Sequence, residues 1–508
     1  MTYSLHSFSV SLSRLGLAVL LACSSVAAQA VTPAVKSPQG LPGGVTPTVP
    51  SLTPAQARVL KHMKVILLPD GQGGQVPTLE ISGCNVRIVN GQGATDIPDG
   101  KGNLIVGYNE FGNPNGDDRT GSHNIVVGKW NTFTSFGGLV AGRANTISAS
   151  YASIAGGVDN MASGGGSFVS GGYANTASGI FSSVTGGQNN TASGQHSWVS
   201  GGRDNEASGY DSSVSGGRLN TASGNWSSVS GGQNNTASYR SCSVSGGRYN
   251  LASGEFASIS GGRYNTASGN WSSVSGGWSN TASGYYSSVS GGRSNIASGP
   301  NSSVSGGSHN ETSGDRSSVG GGGDNKASGD YSSVSGGRHN VANSNLFSSI
   351  SGGKGNEASG NYSSVSGGVD NIASGGGASV NGGWNNTASN TWSTIGGGKT
   401  NHASGTYSSV SGGYGNSASG YASSVSGGRA NGASGSRSSV SGGFGNGAFA
   451  DEAWVSGGRG NKAYGRRSSL SGGKYNTASG DYSSVSGGLS RSALGTNNWT
   501  AGSLNESY

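Results

Sequence analysis

The sequence predicts an all-β protein, a parallel β-roll or β-solenoid of about 23 coils with a short N-terminal helix and capping strands. Three observations predict it. A fifteen-residue unit, S-S-V-S-G-G-x-x-N-x-A-S-G-x-x, runs through residues 152–493 with one extra residue near Leu346. Its aliphatic position keeps phase from Ile154, Val169 and Val184 to Val485. The composition pairs 99 Gly with only 31% hydrophobic and 10% charged residues, which suits a thin structure with a small repeated core. A period this short marks a solenoid whose units stack on their neighbours. Disordered chains of low hydrophobicity carry high charge and lack register, and Gly without a G-x-y period excludes collagen.

Residues 1–30 read as a signal peptide. Arg14 precedes the apolar run Leu15–Ala22, and Ala28-Gln29-Ala30 is a suitable cleavage site. Leu20-Leu21-Ala22-Cys23 also resembles a lipobox, which would leave Cys23 lipidated. Either way the expected location is secreted or cell-surface. No later stretch approaches the ~20 apolar residues of a membrane helix. The other cysteines, Cys84 and Cys242, are too far apart in sequence to suggest a disulfide framework or a metal cluster.

Residues 31–52 form a Pro-rich spacer. In 53–99, Thr53-Pro54-Ala55-Gln56 is a capping-box pattern with Pro at the first helical position. It predicts a helix from Pro54 to about Lys64, with Val59, Met63 and Ile66 as an apolar stripe. Such a helix either packs on its own domain or forms a neck between chains. Short strands are expected at 65–68, 79–82 and 86–89, separated by Asp70-Gly71 and Gly83. Residues 100–151 read as capping coils, since Leu104–Gly107, Ile125–Gly128 and Leu139–Gly142 are more hydrophobic versions of the repeat strand. Residues 494–508 are left as a C-terminal tail.

Within one coil, Ser213-Val214-Ser215 is a strand whose Val points in and whose serines point out. Gly216-Gly217 and Gly224 supply two corners. The Asn position holds Asn160, Asn175, Asn190, Asn205, Asn220, Asn235, Asn250, Asn265, Asn280 and Asn295, continues to Asn476, and gives way to Arg491 in the last coil. A stacked amide ladder at the coil spacing, with Asn taking the left-handed corner, is the expected structural role. The small position is Ala in every coil except at Thr312. One Val and one Ala bury little surface per coil, so backbone ladders, Asn ladders and association of several chains are expected to share the stabilisation. At ~4.8 Å per coil the rod would be roughly 110 Å long.

Ser-Val-Ser-Gly-Gly followed by Ala-Ser-Gly and an aromatic residue resembles the head repeats of YadA-like trimeric autotransporter adhesins over about residues 104–493. The resemblance implies a left-handed parallel β-roll, a homotrimer, and attachment to host matrix proteins or glycans. The chain departs from the family in its fifteen-residue period and in Gly216, where the family has a second aliphatic residue. It is also expected to lack the family's stalk and membrane anchor.

Two variable stripes remain as candidate binding surface. Before the Ser-Ser pair stand Trp226, Trp271, Tyr286, Tyr331, Tyr362, Trp392 and Tyr407. After Gly-Gly stand Arg218, Arg248, Arg263, Arg293 and Arg338. One reading is an aromatic ladder stacking on sugars or matrix proteins beside a cationic stripe. The other is that aromatics fill an inter-chain groove while the cations keep the roll soluble and block lateral pairing.

No catalytic, metal or cofactor site is expected. The histidines have no ligand spacing, no carboxylate pair stands out, and ubiquitous Gly-Gly makes phosphate-loop matches meaningless. Asp99-Gly100-Lys101-Gly102-Asn103 lacks calcium-loop spacing. The net charge of +7 permits acidic partners, but no nucleic-acid motif accompanies it. The expected function is therefore non-enzymatic, adhesin-like binding. An inert structural fibre and an ice-binding solenoid, on the Ser213-x-Ser215 array, are the alternatives.

Overall fold

The computed structural model describes residues 52–502 and the backbone of 504–506. The signal peptide, Cys23 and nearly all of the Pro-rich spacer lie outside the described residues. The chain divides into two compact units at Arg87–Ile88.

In the first unit, helix α1 (Pro54–Leu60) opens on the expected capping box: the Gln56 N–H donates to Thr53 Oγ1 at 3.3 Å and the Thr53 N–H to Gln56 Oε1 at 2.9 Å. The helix stops earlier than its stripe suggested. Met63 and Ile66 belong to strand β1 (Met63–Pro69), which pairs antiparallel with β2 (Gln75–Ile81). A β-branched run with a partner strand overrides a weak helical period. None of the helical residues is buried, so the described residues offer it no packed seat. The hairpin turn is tied by Asp70, whose Oδ1 accepts from the Gln72 and Gly74 N–H groups at 2.8 Å each. These backbone hydrogen bonds, Gln72 first, hold its carboxyl below the usual range. The strand expected at 86–89 does not form.

The second unit is a parallel β-solenoid of about 25 turns. Its first sheet starts with β3 (Leu104–Val106) and continues through β4 (Ile125–Lys129) and β6 (Leu139–Arg143). Its second starts with β5 (Thr132–Phe133) and β7 (Thr146–Ile147). From Ser153 on, each coil adds a two-residue strand to each sheet, such as Ser213–Val214 and Thr221–Ala222, paired in register with the coils before and after. The residue after Gly-Gly makes a third line of bridges, as in Arg203 to Arg218 to Gln233. The extra residue near Leu346 is absorbed without a shift: Ser333–Val334 still pairs with Ser349–Ile350.

Residues 494–508 are not simply a tail. Trp499–Ala501 extends the first sheet by one strand, and Leu504–Glu506 turns back antiparallel along it. A reversed final strand covers an edge that would otherwise invite pairing.

The interior of each coil is narrow. Val214, Ala222 and Asn220 are wholly buried, and their equivalents form one continuous core from Val126 to Ala493. A further inward column, absent from the sequence reading, is the first serine of each pair. Ser197, Ser317 and Ser393 donate to the carbonyl three residues back at 2.7 Å. Fifteen others, Ser212 and Ser272 among them, are buried with no hydrogen-bond partner. The same column holds Ala152, Ala257, Ala378, Ala453 and Cys242, so small size is what it requires. A buried hydroxyl without a partner costs ~1–3 kcal/mol, and its removal relieves that cost. Ser272→Ala should therefore leave the thermal midpoint unchanged or raise it; a loss above ~1 kcal/mol would contradict this placement.

Candidate functional site

The Asn column is structural, but not in the expected form. Asn220 Nδ2 donates to the Gly216 carbonyl of its own coil at 2.8 Å and to Gly232 of the next at 3.0 Å. Its Oδ1 accepts from the Asn235 N–H at 3.0 Å. Most rungs join amide to backbone. Direct amide-to-amide contacts are few, for example Asn190 Nδ2 to Asn175 Oδ1 at 3.2 Å. Nor does Asn take the left-handed corner. Leu219, the residue before it, has φ +55°.

The corners differ in kind. Of Gly216-Gly217, only Gly217 is left-handed, at φ +85°; Gly216, at +159°, is essentially extended. Gly224 approaches the next coil closely, so that a Cβ there would overlap the backbone of Tyr239, although the same column admits Tyr239, Asn390 and Ala450 in other coils. The left-handed residue of this second corner is Trp226, at φ +56°. Its N–H donates to the Tyr210 carbonyl at 2.7 Å, and the Ser227 N–H closes the turn onto Gly224 at 3.1 Å. The aromatic stripe therefore occupies a backbone conformation that costs a bulky residue ~1 kcal/mol or more. The coil-to-coil bonds hold it there.

That placement projects the rings outward. Trp226, Trp271, Tyr286, Tyr331, Tyr362, Trp392 and Tyr407 are 37–59% exposed, neither core nor fully free. They stack along the edge with their neighbours. Phe256 and Trp271 lie 4.0 Å apart at 14°, Trp271 and Tyr286 5.8 Å apart at 21°, and Phe347 bridges Tyr331 and Tyr362 at 4.7 and 5.3 Å. Such pairs prefer offset stacking and contribute ~0.5–1.5 kcal/mol beyond burial.

The cationic stripe is not beside this edge. Arg218 and Trp226 flank opposite ends of the strand Thr221–Ala222. Arg248 and Arg263 lie over Tyr249 and Tyr264, the rings next to them in sequence, at 5.1 and 4.8 Å; Arg293 lies over Trp278 at 4.6 Å. Arg338 is 3.8 Å from Asp324. The cations that do reach the aromatic edge are others: Arg240 lies over Trp226 at 5.2 Å, and Arg316 over Tyr331 at 5.1 Å. The gly-gly corner thus carries its own rings, a second mixed edge that the sequence reading treated as charge alone.

His309, His339 and His402 are exposed on the coil surface. Asp99 is held by the Lys101 N–H at 3.1 Å and Ser122 Oγ at 3.0 Å. Among the described residues no cluster of His, Cys, Asp or Glu could hold a metal ion, and no helix is long and apolar enough to cross a membrane. Burial pushes the Cys242 thiol above its ordinary range, while Cys84 is exposed. No family model and no curated protein matches this chain.

Proposed function

We propose that this chain is an exported, non-enzymatic binding protein of adhesin type that presents repeated edges to an extended ligand. The observation that carries the reading is the row of stacked, half-exposed rings on one corner, from Phe256 through Tyr286 and from Tyr331 to Tyr362. A solenoid whose core is filled by Val, Ala and Asn has no structural need for Trp at a left-handed exposed corner. Flat rings at the coil spacing suit sugars or the flat face of a matrix protein. Export rests on the leader pattern between Arg14 and Ala30.

Self-association, as a trimer, belongs to the same proposal. From Ser213 to Ser305 both outward positions of every first-sheet strand are serine, a flat surface that allows close approach of another chain. At the entry coils the same face is apolar: Leu104, Val106 and Ile125 are 44–53% exposed. Sedimentation of the full chain should give a trimer.

The binding test is a panel of matrix proteins and neutral glycans with the full chain and a Trp226→Ser/Trp271→Ser/Trp392→Ser variant. The expected result is binding that falls at least tenfold in the variant, with thermal unfolding little changed. Absence of binding to every member would favour an inert spacer instead, and thermal hysteresis in ice would favour the ice-binding alternative.

A further inference from the structure

The gly-gly corner changes character in the C-terminal third. At the position after Gly-Gly, ring and cation alternate coil by coil: Trp384, Lys399, Tyr414, Arg429, Phe444, Arg459. Consecutive members are bridged through their backbones, so the order in sequence is the order along the edge. Each cation is propped on rings. Lys399 Nζ lies 3.6 Å from the Trp384 centroid, Arg429 5.2 Å from Tyr414 and 5.6 Å from Phe444, and Arg459 5.3 Å from Phe444.

This stretch differs from the column upstream in its strict alternation and its surroundings, not in the cation–ring contact itself, which Arg248, Arg263 and Arg293 also make without an ion pair. Upstream, acids stand close to the column: Arg203 is paired with Asp204 at 3.1 Å and Arg338 approaches Asp324 at 3.8 Å. Between Asp370 and Asp451 the sequence holds no acidic residue at all. Asp451 and Glu452 stand at the other corner, where Glu452 is engaged by Arg467 at 2.6 Å. Among the described residues Lys399, Arg429 and Arg459 enter no ion pair. All three are exposed, and the rings limit the side-chain freedom they would lose on binding.

We propose that this edge binds a linear acidic polysaccharide carrying one anionic group per disaccharide. Cations two coils apart repeat at ~10 Å, close to the length of two sugar rings in an extended glycan. A nucleic acid fits poorly. In a duplex each strand advances ~3.4 Å along the axis per phosphate, about three times as densely as the cations repeat. The ring faces that bases would need are already occupied by Lys399, Arg429 and Arg459. The inference rests on reading the chain as a binding protein, but at an edge distinct from the one holding Trp226, Trp271 and Trp392.

The test uses the full chain with labelled hyaluronan, which has one carboxylate per disaccharide, neutral dextran, and a twenty-residue oligothymidylate. Hyaluronan should bind, weaken as salt rises, and outcompete both others. Lys399→Ser/Arg429→Ser/Arg459→Ser should reduce its affinity at least tenfold, whereas Arg203→Ser/Arg338→Ser should change it less than twofold. Should the triple variant unfold, the single variant Arg429→Glu serves the same comparison. Failure of the wild type to bind hyaluronan, tighter binding of the oligonucleotide, or a triple variant that binds as the wild type does would overturn the proposal. If the Trp226/Trp271/Trp392 edge still binds its own ligand in that case, only this inference falls.

Discussion

Gly292→Ala should break the solenoid at one coil, whereas Gly291→Ala, one residue earlier, should leave it intact. A Cβ on Gly292 would overlap the Gly307 carbonyl oxygen of the next coil and lie 2.6 Å from Asn295 Nδ2, and φ there is +86°. Gly307 cannot retreat, because its carbonyl already accepts from the Arg293 N–H at 2.8 Å and Asn295 Nδ2 at 3.1 Å. Left-handed strain, overlap and lost hydrogen bonds act together, so the loss should reach ~4–5 kcal/mol, the upper end for one substitution. A Cβ on Gly291 meets nothing within 4 Å. In a stack where each coil contacts only its neighbours, the damage is local. Denaturant unfolding of Gly292→Ala should split into two transitions, and limited proteolysis should cut near residue 292. A single transition at the wild-type midpoint would contradict the close approach.

Asn280→Ala should be nearly as costly, and Asn270→Ala nearly silent. Asn280 Nδ2 donates to Gly276 at 2.8 Å and Gly292 at 3.0 Å, and Oδ1 accepts from the Asn295 N–H at 3.0 Å, all in a wholly buried setting. Alanine leaves a buried donor and a buried acceptor unpaired at ~1–3 kcal/mol each, a total of about 3–5 kcal/mol. Asn270 is exposed at the other corner, and its Oδ1 accepts only the Glu255 N–H, at 3.1 Å, a group that water can also satisfy. Its loss should stay below ~1 kcal/mol. Denaturant midpoints of the two variants compare the same side chain ten residues apart. Equal effects would mean that the column is not the framework of the coil.

These contrasts show which features the sequence exposes. Val214 and Ala222 were legible because a two-residue strand alternates, and fifteen-residue phase repeats the result in every coil. The left-handed corners were legible in principle. The column before the ladder Asn holds Asp159, Asn189, Asp204, Gly355, Gly415 and Gly445, residue types that tolerate positive φ. The aromatic column likewise admits Gly166, Asp211, Asn301 and Gly377. Leu219 and Trp226 obscured both signals, because coil-to-coil bonds hold even bulky residues in that conformation. The inward serine was hidden by its polarity, and only the substitutions to Ala257, Ala378 and Cys242 hint at burial. Where no repeat exists, local pattern failed. Met63 and Ile66 join a hairpin rather than a helix, Val86–Val89 forms no strand, and Trp499–Ala501 extends the first sheet beyond Arg491, where the ladder Asn is lost. For the candidate site, the individual rings and cations were legible, but their separation onto two edges depends on which corner each column occupies.

Native-state amide exchange, resolved coil by coil on the full chain, tests the central claim that the inward columns and the corner backbone maintain the stack while the edge side chains are free to bind. The ladder Asn N–H groups from Asn175 to Asn461, each donating to the Asn one coil earlier, should be protected as a block, with exchange entering from the end coils. The same protection should persist in Trp226→Ser/Trp271→Ser/Trp392→Ser. Ladder amides that exchange as fast as those of residues 91–98, or protection lost with the edge rings, would contradict it.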